Sequence, residues 1–321
     1  MSATELYQVD QKEMRQHYCD ALIAEAKRND RVVAVDVDTS VSMGTVPFHE
    51  AFPERAINCG IMEANAIGVA AGLSATGFIP FFQAFGIFAS RRAYDQVYLS
   101  CAYQDLNVKI IGADAGVTAA VNGGTHMPLE DMGIMRNIPH MTVIEPADGA
   151  MIPRAVRHMA DTWGNFYMRF GRKKMTRVYG PQAKFTIGRA NILHEGSDVA
   201  IIACGIMVYE ALKAAWALED EGIDATVIDM HTIKPIDKDA IITAAKGCGA
   251  VVTAENHNII NGLGSAVSEV LSEHIPVPLE RVGVMDEFGE VGSQQYLMEH
   301  FGLTAEKIIK KAKRAIHRRQ E

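Results

Sequence analysis

The sequence predicts an α/β protein of two domains, each a mainly parallel sheet flanked by helices, with the second sheet mixed. Three observations predict it. Short β-branched apolar runs alternate with longer stretches of helical period, as crossover connections between parallel strands require. The alternation stops once, at the polar segment Lys173 to Lys184 with its Gly180-Pro181, and then restarts. The length of 321 residues suits two domains of ordinary size. The expected domains are therefore residues 1–180 and 181–321.

In the first domain, helical spacing runs from about Gln11 to Asn29, followed by a strand at Val32 to Asp36. A long loop containing Gly, Pro and Ser leads to a short strand near Ala56. A Gly/Ala-rich helix covers about Met62 to Ala75, and Phe78 to Gln83 reads as a strand. A helix through Tyr103 precedes a strand at Val108 to Ala113, a Gly-rich loop and a strand at Thr142 to Ile144. A helix from about Ala150 to Thr162 and a strand at Phe166 to Arg169 complete the unit. Beyond the linker, strands are expected at Val199 to Ala203, Ala225 to Asp229, Ala250 to Ala254 and near Leu279 to Val282. Helices are expected at Val208 to Glu221, Asp237 to Lys246, Gly264 to Glu273 and Ala305 to Arg318.

Composition narrows the function. Hydrophobic residues make up 48% and charged residues 22%, enough for a sizeable core. The net charge of −8 argues against a nucleic-acid partner, which needs a basic face. No uninterrupted apolar run reaches the roughly 18–20 residues of a membrane span. Met1 to Arg15 is polar and of mixed charge, unlike a secretory signal. The 5 cysteines are dispersed and form no CxxC pair, which points to a reducing cytoplasm and away from structural zinc.

The most informative stretch is Ala56 to Ser90, whose one charged side chain is Glu63. Two readings stand. Apolar neighbours disfavour the anion, so the acid keeps a proton. A first-turn position favours the anion, so it bonds free helix amides. Phe85 and Phe88, at i and i+3 in the same charge-free run, form either core or a flat platform for a planar heterocycle. The loop Asn122-Gly123-Gly124-Thr125-His126 follows a strand, where a histidine is placed for ligand contact or is incidental.

Taken together, Phe52-Pro53-Glu54-Arg55, Asn58 to Glu63, Phe85, Phe88 and Gly124-Thr125-His126 resemble the pyrimidine-binding domain of transketolases. Asp229 to Asp237, Glu255-Asn256-His257, Gly262-Leu263-Gly264 and Asp286 to Gly289 resemble that family's C-terminal domain. The likeness runs in order from about residue 10 to 310. No Gly-Asp-Gly, the family signature for diphosphate and metal binding, is present, so no metal ligand is expected on this chain. The resemblance implies the C-terminal half of a split enzyme. The cofactor implied is thiamine diphosphate, with its pyrimidine end here and its Mg or Ca on an N-terminal partner subunit. Self-association about a two-fold axis and sugar phosphate substrates are implied as well.

The resemblance also assigns roles. Glu63 protonates the aminopyrimidine, whose imino form then removes the thiazolium proton. Phe85 and Phe88 cradle the ring, with Asp38 near the cofactor and the subunit seam. His126 contacts the sugar oxygens. Arg15, Ser42 and Arg169 hold a phosphate or line its channel, and Asn122 stands where the family has a hydroxyl-reading aspartate. Ala113 falls where many members have a phosphate-contacting histidine. From the residues alone, Arg15 is equally a solvated helix arginine, Arg169 a salt-bridge partner and Asp38 a capping residue. The implied activity is transfer of a two-carbon ketol unit from ketose to aldose. The alternatives are the beta subunit of a 2-oxo-acid dehydrogenase and a non-catalytic subunit that retains the fold.

Overall fold

The computed structural model describes residues 6–180 and 182–320; the start of the expected N-terminal segment and Pro181 of the expected linker lie outside the described residues. The strands, in chain order, are β1 (Val32–Asp36), β2 (Ala56–Asn58), β3 (Ile79–Phe85), β4 (Lys109–Ala113), β5 (Thr142–Ile144), β6 (Phe166–Phe170), β7 (Asn191–His194), β8 (Val199–Ala203), β9 (Ala225–Asp229), β10 (Thr232–Lys234), β11 (Val251–Asn258) and β12 (Leu279–Val284).

One sheet has the order β10-β5-β6-β4-β3-β1-β2 and the other β12-β11-β8-β9-β7. Every pairing is parallel except β10 with β5 and β7 with β9. This is the α/β architecture expected, with the second sheet mixed.

The central strands read as unbroken apolar runs because helices cover both faces. All five residues of β1 are buried. Val32 and Ala34 pack with helices Met14–Arg28 and Ile152–Asp161, while Val35 packs with Ala66, Ile67 and Ala70 of helix Glu63–Ala75. A single apolar cluster continues from Phe82 and Ile110 through Met132, Met135 and Ile233 to Ile202 and Val251 of the second sheet.

Two strands escaped the sequence reading. β10 follows the linker yet pairs with β5, Thr232 opposite Ile144 and Lys234 opposite Val143. The Lys234 ammonium donates to the carbonyls of Arg136 (2.8 Å) and Ile138 (2.5 Å), fastening the strand to the first unit. Three residues ahead of a proline carry no period, and the partner lies far away in sequence. β7 is a four-residue edge strand of mostly half-buried residues. Helices Ser40–Met43 and Val46–Ala51 occupy the expected loop, and Asp131–Asn137 and Gln294–His300 are further short helices. The helix expected through Tyr103 is a succession of short turns ending in a π-helical stretch, Val97–Ala102.

Candidate active site at the carboxyl edge of the first sheet

In the first sheet β2 lies on one side of β1 and β3 on the other, so the chain reverses its spatial order there. Open parallel sheets bind ligands outside the carboxyl ends of their strands at such a point. Asp38 leaves β1, Glu63 follows β2, Phe85 ends β3, Asp114 follows β4 and Arg172 follows β6. Asp38 (φ 65), Asp114 (φ 62) and Ala120 (φ 48) lie in the left-handed region without being glycine. Backbone held this way gathers at functional sites.

Glu63 opens its helix and is 3% exposed. The Asn58 side-chain carbonyl accepts from the amides of Asp38 (3.0 Å) and Gly60 (2.9 Å), tying the exit of β1 to the turn that delivers Glu63. The carboxylate accepts from Arg92 Nη1 at 2.9 and 3.0 Å. That bond takes the place of the helix amides considered from sequence. The Arg92 guanidinium also lies 3.9 Å over the centroid of Phe88.

Phe85, Phe88 and His126 meet as three rings. Their centroids are 6.0, 5.7 and 5.2 Å apart, and each pair is nearly perpendicular. They form the corner of a box rather than the flat platform envisaged, because Phe85 ends a strand while Phe88 sits on the short helix Gly86–Ala89. The Thr125 hydroxyl is 3.0 Å from His126 Nδ1.

Beyond Phe85 lies a cationic pair. The Arg172 guanidinium stacks 4.7 Å over the Phe85 ring, and its Nε donates to Asp114 (2.7 Å). Arg172 Nη1 and Arg15 Nη1 converge on the Ser42 carbonyl, at 3.3 and 2.9 Å. Asn122 donates to the second Asp114 oxygen at 3.3 Å. A run of contacts therefore links Glu63, Arg92, Phe88, His126, Phe85, Arg172, Ser42 and Arg15. Asp38 is exposed at the rim. Ala113 is a buried core residue, and the neighbouring Asp114 carries the polar contact instead.

Arg169 stands apart. It is 0% exposed and bonds Asp131, with Glu145 at 3.5 Å and the Asn256 carbonyl at 2.8 Å. Tyr167 donates to Asp131 at 2.5 Å. This is the salt-bridge reading of Arg169, turned inward between the two sheets. Burial pushes Asp131 and Glu145 upward and pushes Glu255 up to about 8, while burial, with Arg169 nearby, takes His257 down to about 3.

The sequence reading missed Arg92, Arg172 and Asp114. Arg92 follows Arg91 just beyond the charge-free run, and Arg172 is the next arginine after Arg169, a weak signal that spacing alone does not resolve.

The second unit holds the site's loops in place. The Asn256 side chain donates to the Ala115 carbonyl (2.8 Å) and accepts from the Val117 amide (2.9 Å). Gly116, at φ 50, allows this approach: a Cβ there would lie 2.2 Å from Asn256 Oδ1. Gly124 packs on Gly289 as closely, its hypothetical Cβ 2.2 Å from the Gly289 carbonyl oxygen. Among the described residues, no group of three or more His, Cys, Asp or Glu could hold a metal ion.

Comparison with known families decides the lineage of this edge. The transketolase pyrimidine-binding domain matches residues 10–177, and the transketolase C-terminal domain matches residues 188–308. The chain belongs to the transketolase family. A 6-deoxy-6-sulfo-D-fructose transketolase subunit from a Clostridium species is 51% identical over 95% of both chains. An apulose-4-phosphate transketolase subunit from Phocaeicola vulgatus is 36% identical over 93% of this chain and 96% of its own. A solved split-gene transketolase, described as an inactive beta4 tetramer, superposes with a TM-score of 0.88 at 43% identity, over 96% of this chain and 99% of that one. The chain is thus a C-terminal transketolase subunit of a thiamine-diphosphate-dependent family.

Proposed function

We propose that this subunit takes part in moving a two-carbon ketol unit from a ketose to an aldose, both sugars carrying a terminal anionic group. The observation that carries the reading is the buried Glu63 carboxyl beside the Phe85, Phe88 and His126 rings, on the sheet edge where ligands bind. This arrangement fits the aminopyrimidine of thiamine diphosphate: an acid for a ring nitrogen and aromatic walls for a planar ring. When bound, the cofactor supplies a nucleophilic ring carbon that carries the two-carbon unit.

Glu63 holds a proton at the pyrimidine nitrogen, which needs a carboxyl group screened from water. Phe85 and Phe88 keep water from that proton and orient the ring. His126, at the inner end of its loop, offers an imidazole to the sugar oxygens. Arg172 and Arg15, converging on one carbonyl, attract a terminal phosphate or sulfonate. Asn122 and Ser42 line the path to them. These assignments take Arg172 as the cation for the anion: both arginines have a carboxylate partner, but Arg169 is closed to water with Asp131 inside the fold, while Arg172, paired with Asp114, keeps an accessible edge.

Exposed Val41, Ile61, Met62, Val121, Phe288 and Val291 suit a site completed by another subunit. We assign the diphosphate and its Mg or Ca to that N-terminal partner, and a two-fold contact to a second copy of this chain. A cytoplasmic location accords with 5 free cysteines; no helix among the described residues is long and apolar enough to cross a membrane.

The experiment is ketose–aldose exchange by the chain alone and with its partner, with thiamine diphosphate and magnesium. Turnover is expected with the pair only. Glu63→Gln should fold and assemble but lose about 10²–10⁴ in rate. Near-normal turnover by that variant would overturn the assignment.

A further inference from the structure

Arg92 engages two groups that the proposed site needs for its ligand. Its Nη1 bonds both Glu63 oxygens, at 2.9 and 3.0 Å, and its guanidinium covers the Phe88 ring at 3.9 Å. A pyrimidine ring that used the same carboxyl group and the same aromatic box would have to displace it. The Arg92 side chain is 48% exposed, so it can swing into water without carrying a buried charge across the fold. Among the described residues, its ion pair is with Glu63.

Other ionisable groups lie on the elements packed against the Glu63 helix: Asp36 on β1, Arg91 beside Arg92, and Tyr94, Asp95, Tyr98 and Cys101 on the turns that follow. Arg91 is turned to Glu130, Asp36 accepts from the Thr39 amide, and Cys101 is core. Cys59, just before the turn, is half-buried. Arg92 is the group among them bonded to the Glu63 carboxylate.

We propose that Arg92 is a positioning residue that keeps Glu63 ionised until the cofactor pyrimidine displaces it, so that cofactor binding draws a proton from solution. The inference rests on the thiamine reading of the site. The proton balance is simple. Before binding, Glu63 is a carboxylate paired with Arg92, and the pyrimidine nitrogen of free cofactor is unprotonated at neutral pH. After binding, Glu63 and that nitrogen share one proton, taken from water, while Arg92 keeps its own throughout. The activating acid is thereby held as a quiet ion pair and becomes a proton donor only when its target is in place.

The test is titration calorimetry of the assembled pair with thiamine diphosphate and magnesium, in buffers of different ionisation heat. Wild type should take up about one proton per site near neutral pH. Arg92→Leu should bind about 3- to 10-fold tighter, because the competing ion pair is gone, and should take up less than about half as much. Arg92→Lys, which keeps the cation, should restore uptake. Cofactor binding by wild type without proton uptake would overturn the latch and leave the thiamine reading standing. So would an Arg92→Leu variant that loses affinity. No cofactor binding by wild type would overturn both.

Discussion

Arg169→Met separates the inward arginine from the substrate-binding role that the family resemblance implies for it. Arg169 is closed to water, with Asp131, Glu145 and the Asn256 carbonyl around its guanidinium. Removing one side of a buried pair typically costs about 3–5 kcal/mol. Two features favour the lower end. Burial already drives Asp131 and Glu145 upward, so each takes a proton once the cation is gone rather than remaining a bare charge. Methionine also refills much of the volume. We expect a loss of about 3 kcal/mol, a fall of about 4–5 °C in Tm for a chain of 321 residues unfolding as one unit. The loss should deepen as pH rises. The folded variant holds protons on these acids that the unfolded chain releases in the ordinary carboxylate range, so the folded state binds more protons and stability declines with pH. The assay is thermal and urea unfolding followed by circular dichroism at mildly acidic and mildly alkaline pH. An unchanged Tm together with a KM for the anionic ketose raised more than about tenfold would refute the reasoning and return Arg169 to the substrate.

The other predictions concern the cationic pair, the loop contact and the seam between the sheets. Arg172→Gln should raise KM for a phosphorylated or sulfonated ketose about 10- to 100-fold, with a much smaller change for an uncharged one, measured by steady-state kinetics of the assembled pair. Gly124→Ala should lower stability by about 1–3 kcal/mol in urea unfolding, since its Cβ would lie 2.2 Å from the Gly289 carbonyl oxygen and backbone must move. Asp229, which burial holds up to about 8 while Tyr179 donates to it at 2.6 Å, keeps a proton that the unfolded chain loses at ordinary carboxylate pH. Its contribution is full in acid and is lost as pH rises through about 8. Asp229→Asn should therefore flatten the decline of stability between about pH 5 and 8.

Residue type and period made the strands of the two sheets legible, because a strand covered on both faces must be apolar throughout. β1, β5, β8 and β9 fall where the runs Val32 to Asp36, Thr142 to Ile144, Val199 to Ala203 and Ala225 to Asp229 place them. β10 was not legible, since its register comes from a hydrogen-bonded partner in the other half of the chain. The candidate site divides in the same way. Glu63 was visible as the one charge in an apolar stretch, and Phe85, Phe88 and His126 through their motifs. Arg92 was not, because nothing in a linear charge pattern says which arginine turns back to an acid on another element.

What the sequence determined by itself is therefore the local chemistry: which runs are apolar enough to be buried strands, where the lone acid lies and which rings are near it in the chain. The tertiary structure decided which groups of like kind face outward and which inward. Arg169 and Arg172 are three positions apart on one segment, yet the first is enclosed between the sheets with Asp131 and the second lies over Phe85 at the open edge. The reason is geometric. As β6 ends, the direction of each side chain is set by the strand's pleat and by the neighbouring elements packed on it, so charge alone does not choose between core and cleft.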